Sequence, residues 1–450
     1  MPQRLFINTV LPNGDPAFPK TLNEWSVHNN SGNLPEAMAA HFLPLQPTKE
    51  TMPEPKERPA HLIRLDVLRG IAVIMVFLFH FNSTVFGPDR LAFHGLLGHF
   101  PTEWKTQTAP ILIYTVWYPL TFAWSGVALF FVISGFVIHW SFLNARVFRL
   151  RDFYWRRFWR IYPPYFAALV FFTAYEKLDM RTLKGGFQFV SHLLLVHNFH
   201  PASVFGISGV FWSLAVECQF YLLYPILLIL RKRLGNNLTA MAKVTLFTLA
   251  VSLCWKAVCF SHIDWNNLEL HLFEWQFTLS LWFDWMIGAY VAECFFNQRD
   301  AFLAPWPSIA VLTLLFVASS FVTVAPIFQY SIASLLFAIC MERYLYKKRA
   351  VSCWESAFVT VGLCSYSMYL WHHPFIVPIL DWLARLGLAS NLSCQLTIGL
   401  LACFMAIFVL SGILYLTIEK TGISFGFHLR PFAALITSPV LNRKSRGSNV

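Results

Sequence analysis

Charged side chains are scarce in this sequence. Only 13% of its 450 residues are Asp, Glu, Lys or Arg, whereas 56% are hydrophobic and 17% are aromatic. A soluble globular protein has about 25% charged and about 45–50% apolar residues. The shortage of charge therefore excludes an ordinary soluble domain and indicates a membrane protein.

The sequence also lacks the residue spacings typical of a disulfide framework or a metal site. Its nine cysteines are scattered without a C-x-x-C pair, and most fall inside apolar runs, where cysteine serves as a small core residue. Three histidines, His192, His197 and His200, lie close together in FQFVSHLLLVHNFH. We interpret them as side chains at the membrane interface and predict no metal ion.

The first residues lack the apolar segment typical of a signal peptide. Residues 1–60 are polar and rich in Pro and Asn, a composition typical of a disordered tail. We expect residues 61–420 to form a transmembrane domain and residues 421–450 to form a second, cytoplasmic tail.

The sequence does contain many apolar runs that are long enough to cross a bilayer core of about 30 Å. They predict an all-α, polytopic membrane protein with about ten transmembrane helices. The predicted helices cover residues 69–87, 121–142, 161–176, 211–230, 241–261, 276–295, 305–322, 327–345, 357–382 and 394–416. The apolar stretch 187–200 is too short to cross and is predicted to lie at the membrane surface.

Basic residues are concentrated in alternate connections between these runs. The net charge is +11, and Lys and Arg crowd the connections at 146–160, 231–233 and 347–349. This asymmetry favours orientation in a bilayer over nucleic-acid binding, and it places those connections in the cytoplasm. Because the number of spans is even, both termini are predicted to be cytoplasmic.

The first predicted helix begins with charge and carries a histidine inside its apolar run. In RLDVLRGIAVIMVFLFHF, Arg69 and His80 are eleven residues apart, which is about three turns and about 16 Å along one helix face. Asp66 precedes Arg69 by three residues and is expected to pair with it. An ionisable group inside a membrane indicates a functional site by default, although a histidine bonded to a neighbouring helix explains this segment equally well.

Two further motifs place charge beside apolar runs. Arg157 and Arg160, in RRFWRIYPPY just before the third predicted helix, suit bidentate phosphate binding, though the positive-inside rule also explains them. Glu217 interrupts the apolar run GVFWSLAVECQFYLLYP, where a lone acid needs a partner or a role. Ser213 shares its helix face, and Asp284 lies at a similar depth as a competing partner.

A pair of histidines completes the candidate site. His372 and His373 are adjacent in SYSMYLWHHPF, so their side chains point about 100° apart on a helix. We expect at most one of them to face the site.

These motifs, in this order, resemble those of the acyltransferase-3 family, integral membrane O-acyltransferases that modify bacterial cell-surface polysaccharides, lipopolysaccharides and other sugars. The resemblance covers about residues 61–420. It rests on LDVLRGIAVIMVFLFH, GVALFFVISGFVI, RDFYWRRFWRIYPPY, GVFWSLAVECQFYLLYP, SYSMYLWHHP and YLTIEK.

The resemblance implies roles for single residues. The family's motif residues fall on Arg69, His80, Arg157, Arg160, Trp212, Ser213 and Glu217. It implies that acetyl-CoA or another acyl-CoA binds from the cytoplasm as a donor substrate, with no bound cofactor, and that His80 is the catalytic centre. A carbohydrate or glycolipid acceptor is expected on the outer side of a bacterial inner membrane.

The sequence departs from the family pattern in three places. Ala128 stands where members often carry an acid, His373 where tryptophan is usual, and Lys420 where proline is usual. No soluble hydrolase-like domain follows the last predicted helix, so we expect the stand-alone form.

The expected reaction is acyl transfer. The coenzyme A phosphates would bind the three arginines, and His80 would act as a general base or as a transient acyl acceptor. Glu217 would orient or charge-balance the His80 imidazole. The residues in supporting positions are Asp66, Trp212, Ser213, Asp284 and His372. A transporter that uses the same buried groups as a proton relay is the main alternative. A membrane glycosyltransferase is a weaker one, because the acids of the outer connections are scattered.

Overall fold

The computed structural model describes residues 63–86, 117–262, 274–302, 306–319, 326–347, 349 and 351–437. Within these ranges the chain forms helices and no strands, which confirms the predicted all-α class. The predicted tail at 1–60 lies outside the described residues, as does most of the first outer connection.

The helices are numbered in the order of the chain. In chain order they are α1 (Ile63–Phe86), α2 (Gly126–Leu143, entered through the 3-10 helix Tyr118–Ser125), α3 (Leu150–Tyr175), α4 (Leu183–Leu193, followed by the 3-10 turn His197–Phe199), α5 (Phe211–Arg233), α6 (Leu238–Ser261), α7 (Trp282–Phe296), α8 (Trp306–Ser319), α9 (Pro326–Leu345), α10 (Cys353–Leu363) and α11 (Ser365–Arg385). A last long helix contains Leu392–Cys394, a π-helical turn at Gln395–Gly399, α12 (Leu400–Leu414), a second π-helical turn at Tyr415–Glu419, and α13 (Lys420–Thr437).

Each of the ten predicted apolar segments overlaps a helix of the structure. Among the described residues, four helices are long and apolar enough to cross a membrane: Pro119–Leu143, Phe211–Arg233, Leu238–Ser261 and Leu392–Leu429. A membrane protein with several apolar helices is therefore supported, and crossing by the other helices stays a prediction.

The third helix differs from its predicted bounds. It begins at Leu150, eleven residues before the predicted start, because the arginine-rich segment is helical too. Arg157 and Arg160 therefore lie inside α3, whereas the sequence pattern placed them in a connection. Both side chains are buried, whereas arginines that only mark a helix end at the membrane surface would remain exposed to solvent.

Glycines let α1 cross α10 at very short range. A Cβ at Gly70 would collide with the backbone of Phe358, and a Cβ at Gly362 would collide with the backbone of Asp66. Small residues at such crossings allow helix backbones to approach each other closely. This crossing fixes the segment of α1 that carries Asp66 and Arg69.

A proline in α5 ties that helix to α3. Pro225 has no N–H to bond the carbonyl of Tyr221, four residues earlier. The hydroxyl of Tyr154 donates to that carbonyl at 3.3 Å, so the freed acceptor is satisfied by the neighbouring helix. Glu217 is thereby held one turn from the contact with α3.

The segment after residue 420, predicted to be a tail, continues as α13 as far as Thr437. It packs along α3, where the indole N–H of Trp155 donates to the carbonyl of Gly426 at 2.8 Å. Residues 438–450 lie outside the described residues.

Candidate active site

Three arginines form a buried cluster at one end of the helix bundle. Arg69 comes from α1 and is 2% exposed, and Arg157 and Arg160 come from α3 and are 9% and 4% exposed. The Arg69 guanidinium lies 2.7 Å from the carboxylate of Asp66, so the pairing expected from their spacing is present. We call Arg69, Arg157 and Arg160 the arginine cluster.

Glu217 lies beside this cluster. It interacts electrostatically with all three arginines. Its Oε1 atom accepts a hydrogen bond from the Ser134 hydroxyl at 2.7 Å and another from the Tyr221 hydroxyl. Its Oε2 atom is buried and has no hydrogen-bond partner among the described residues. The acid therefore has capacity to bond a further donor.

Glu419 is a site residue that the sequence interpretation missed. It is fully buried in the second π-helical turn and lies 3.7 Å from Arg160. The Ser367 hydroxyl donates to its Oε2 atom at 2.9 Å. Such π-helical turns are frequent at functional sites. An acid that ends the apolar run 400–418 is the same signal that indicated Glu217, and it could have been used here.

The second cluster is made of histidines, about three turns further along α1. The ring centroid of His80 is 5.0 Å from that of His372 and 4.5 Å from that of His373. The expectation that only one of the adjacent histidines faces the site is therefore wrong, because the His80 ring lies between their two directions. His80 is partly exposed, whereas His372 is fully buried with Nε2 unbonded among the described residues. We call His80, His372 and His373 the histidine cluster.

The expected contact between Glu217 and His80 is not among the contacts of either residue. Glu217 bonds Ser134 and Tyr221, and the neighbouring charges of His80 are those of His372 and His373. The sequence does not determine the direction of the side chain, and Glu217 interacts with the arginine cluster. Its predicted role in orienting His80 is corrected accordingly.

The other residues of the W-S-L-x-V-E motif lie at the start of α5. Ser213 is hydrogen-bonded to the hydroxyl of Tyr369, and the Tyr369 ring lies 5.9 Å from that of His372. Trp212 is buried beside it. Ser213 thus connects to the histidine cluster through Tyr369, not to Glu217 as its position on the same helix face suggested.

Asp284 belongs to a different part of the molecule. Its carboxylate lies 3.9 Å from the ammonium group of Lys256 on α6, and both side chains are fully buried. Lys256 also donates to the Ser331 hydroxyl on α9 at 3.2 Å. Asp284 therefore pairs with Lys256 and not with Glu217, and its supporting role stays a prediction.

A small void lies between the two clusters. It is about 20 Å³ in volume, roughly the space of one water molecule. Its walls come from α2, α5 and α11: Val127, Phe130, Phe131, Ser213, Leu214, Ser365, Tyr366 and Tyr369. Tyr366 interacts electrostatically with Glu217 and Glu419, and Tyr369 touches His372. The void therefore has the arginine cluster on one side and the histidine cluster on the other.

The interfacial position predicted for the three histidines of segment 187–200 does not hold for two of them. His192 and His197 are fully buried with their rings stacked at 3.9 Å, and His200 alone of the three is exposed. Within the described residues no group of three or more His, Cys, Asp or Glu side chains could hold a metal ion.

A model of a protein family described as an acyltransferase domain matches residues 62–417. The chain belongs to the acyltransferase-3 family. This match confirms the resemblance that was based on six motifs. It also confirms the predicted enzyme class, an acyltransferase that transfers groups other than aminoacyl groups.

Several relatives share part of the chain. It is 26% identical to the peptidoglycan O-acetyltransferase OatA of Listeria monocytogenes, over 62% of this chain and 51% of that one. It is 25% identical to an O-acetyltransferase OatA of Staphylococcus aureus, over 71% and 51% of the two chains. It is 29% identical to the acyltransferase MdmB of Streptomyces mycarofaciens, over 37% and 40%. The chain spans about half the length of the OatA relatives, and no solved structure matches it.

Proposed function

We propose that this protein is a membrane O-acyltransferase that transfers an acyl group, most simply acetyl, from an acyl-CoA donor to a hydroxyl of a carbohydrate or glycolipid. The observation that carries this proposal is the pair of clusters to which α1 contributes Arg69 and His80. Three buried guanidinium groups lie at one end, and three histidines meet about 16 Å further along the same helix. The family assignment and its O-acetyltransferase relatives support the same reaction.

The arginine cluster suits the phosphate groups of coenzyme A. Guanidinium groups present planar pairs of N–H donors that match phosphate oxygens. The Nη2 atom of Arg160 is buried and has no hydrogen bond among the described residues, since Glu419 is 3.7 Å away. A buried donor without a partner is costly, and a phosphate oxygen would satisfy it.

The small void marks the line that the pantetheine arm of the donor would follow. A space for one water molecule is too small for that arm, so α2, α5 and α11 would have to separate to admit it. The walls of the void are mostly apolar, and it lies between the phosphate site and the histidines. An extended pantetheine arm spans a distance comparable to that between Arg69 and His80. The donor would thus bring its thioester to the histidine cluster while its phosphates stay on the arginines.

His80 is the group that we assign to the chemistry. As a general base, its free imidazole nitrogen accepts the proton of the sugar hydroxyl, whose oxygen attacks the thioester carbonyl. The C–S bond breaks, and the thiolate leaves and takes the proton back from His80. As a nucleophile, the imidazole would instead carry the acyl group before the hydroxyl attacks. Trapping of an acylated chain in the absence of acceptor distinguishes the two routes.

The orientation follows from the distribution of basic residues, with the arginine cluster at the cytoplasmic side. Val147 and Leu183 are 71% and 96% exposed. Val147 precedes α3, and Leu183 is the first residue of α4, which follows it. In a cysteine-free background, Val147→Cys should resist an impermeant maleimide in intact cells, and Leu183→Cys should react. The reverse pattern would contradict the orientation and the cytoplasmic donor site.

The reaction itself is tested with the purified chain in proteoliposomes. We expect acetyl-CoA to bind and to release its free thiol when acceptor carbohydrate from the producing cells is supplied. A transporter that uses the same buried groups would leave acetyl-CoA intact. Absence of both donor binding and thiol release would contradict the proposed function.

A further inference from the structure

A second cavity opens on the surface beside the histidine cluster. It is about 640 Å³ in volume and is lined by the end of α3, the segment 205–209 and the second half of α11. This volume lies in the range of small-molecule binding sites. The acyl-transfer chemistry described above does not use it.

The cavity leads to His80 through one side chain. His373 lines it, and the His373 ring is in contact with His80, with centroids 4.5 Å apart. Gly209 lies directly beside His373, since a Cβ at this position would be in ordinary van der Waals contact with the ring at 3.7 Å. A hydroxyl that enters the cavity therefore has a short route to the candidate catalytic histidine.

Two of the polar groups that line the cavity are carboxylates. The exposed carboxylates of Glu176 and Asp381 lie on its walls, and an ionised carboxylate accepts hydrogen bonds but donates none. Ser208 also lines it; this side chain is 4% exposed, and its Oγ has no hydrogen-bond partner among the described residues. A ligand that carries several hydroxyl groups would satisfy all three.

The remaining lining is aromatic and apolar. Tyr175 and Phe205 are 45% and 38% exposed and present ring faces on which the C–H face of a sugar can pack. The lining contains no lysine or arginine among the described residues. An anionic ligand would meet two carboxylates without a counter-charge, and like charges at close range oppose binding.

We propose that this cavity binds the acceptor and selects an uncharged sugar. Glu176 and Asp381 accept hydrogen bonds from its hydroxyls, and the reacting hydroxyl passes His373 to reach His80. The inference rests on the proposed acyl transfer and adds the place and the charge class of the acceptor. In the transfer, the hydroxyl O–H and the thioester C–S bonds break, an ester C–O bond forms, and the thiol leaves with the proton.

The first test neutralises the two acids. Glu176→Gln and Asp381→Asn are compared with the control Asp179→Asn. Asp179 is an exposed acid in the same connection as Glu176, and it does not line the cavity. Cells that lack the chain are complemented with each variant, and incorporation of labelled acetate into envelope carbohydrate is measured. Each cavity variant should lose roughly tenfold or more of the incorporation, by loss of a charge-assisted hydrogen bond, whereas Asp179→Asn should match the unmodified chain.

Two measurements make the outcome decisive. Purified Glu176→Gln and Asp381→Asn should bind acetyl-CoA as the unmodified chain does, which shows that they fold. Val377→Trp, at an exposed position of the same wall, fills the cavity without changing charge and should also block incorporation. Normal incorporation by these variants would overturn the site.

The charge class is tested on the product. The acetylated sugar residue is released from the carbohydrate and its net charge is measured by electrophoresis at neutral pH. An uncharged residue supports the proposal, and an anionic residue overturns it. If the unmodified chain neither binds acetyl-CoA nor supports any incorporation, the proposed acyl transfer is contradicted. That result differs from finding either an uncharged or an anionic product residue.

Discussion

Two networks of arginine and carboxylate are buried in this protein, and they differ in how completely they are bonded. In the first, at α2, α5 and α7, Glu293 accepts hydrogen bonds from Arg231 at 2.6 and 3.2 Å. Both ring nitrogens of His139 also have partners in that network. Nε2 lies 2.6 Å from Glu293, and Nδ1 lies 2.9 Å from the Tyr224 hydroxyl. In the second, the arginine cluster, Glu217 and Arg160 each keep a buried polar atom without a hydrogen bond among the described residues.

The difference separates a structural network from a candidate binding site. A buried charge is tolerated when its partners satisfy it and is costly when they do not. The Glu293 network is closed in this sense and can serve to hold three helices together. The arginine cluster retains bonding capacity, and a phosphate-bearing donor would use it. The predictions that follow test whether function and stability divide along this line.

The largest effect is expected from the histidine outside the closed network. His80→Ala should lower the rate of acyl transfer by about a hundredfold to ten-thousandfold, which is the usual contribution of a general base. The variant should still insert into the membrane and bind acetyl-CoA. His139→Ala is the control, since it also removes a single histidine from an apolar helix. Its turnover per folded molecule should be near normal. Near-normal turnover of His80→Ala would contradict the catalytic assignment.

Substitution in the closed network should lower the stability of the fold strongly and leave donor binding unchanged. Glu293→Leu leaves Arg231 buried without its carboxylate, which should cost about 3–5 kcal/mol of folding free energy. The double variant Glu293→Leu, Arg231→Met should recover most of that loss, because no unpaired charge remains. Thermal unfolding in detergent micelles measures both. An unchanged unfolding temperature for the single variant would show that the network is not structural.

A smaller, selective effect is expected in the arginine cluster. Arg157→Lys and Arg160→Lys keep the charge but lose the planar pair of donors. Losing one charge-assisted bond of about 1.5–3 kcal/mol should raise the acetyl-CoA concentration that is needed by roughly ten- to a hundredfold. Arg231→Lys, in the closed network, should leave that concentration unchanged. If both cluster variants need no more donor than the unmodified chain, these arginines do not hold it.

Much of this architecture could be predicted from the sequence, because hydropathy sets helix positions directly. The ten apolar runs all overlap helices, and the i, i+3 spacing of Asp66 and Arg69 yielded a true pair. The start of α3 could not be predicted in this way, since its first turns are arginine-rich and their burial depends on acids from other helices. Glu419, which supplies one such acid, is about 260 residues away in the chain from Arg160.

Partners of the buried acids could not be predicted, because depth in a membrane does not determine direction. The sequence predicts similar depths for Glu217 and Asp284, yet one faces arginines and the other faces Lys256. His80 and His139 also look alike as lone histidines in apolar helices. Only the helix packing shows that His139 is closed off by Glu293 and Tyr224, whereas His80 meets two further histidines.

The smallest effect is expected for an arginine–carboxylate pair that lies outside the interior of the helix bundle. Arg349 donates to both carboxylate oxygens of Glu355, at 2.7 and 2.8 Å, but the Arg349 side chain is half exposed. Exposed pairs contribute little because water competes for both partners and salt screens them. The hydrogen bonds from Arg349, and then from the backbone of Ser352, lower the pKa of Glu355 from 4.5 to about 2.

A pKa that is lower in the folded chain means that the pair stabilises the folded state above pH 4.5, and that this contribution is lost as the pH falls toward 2. Glu355→Gln should therefore unfold at a slightly lower temperature than the unmodified chain at pH 7, and the gap should narrow as the pH falls below 4.5. Donor affinity should not change. A gap that is constant with pH would show that the substitution acts through packing, and a fall in donor affinity would extend the binding site beyond the arginine cluster.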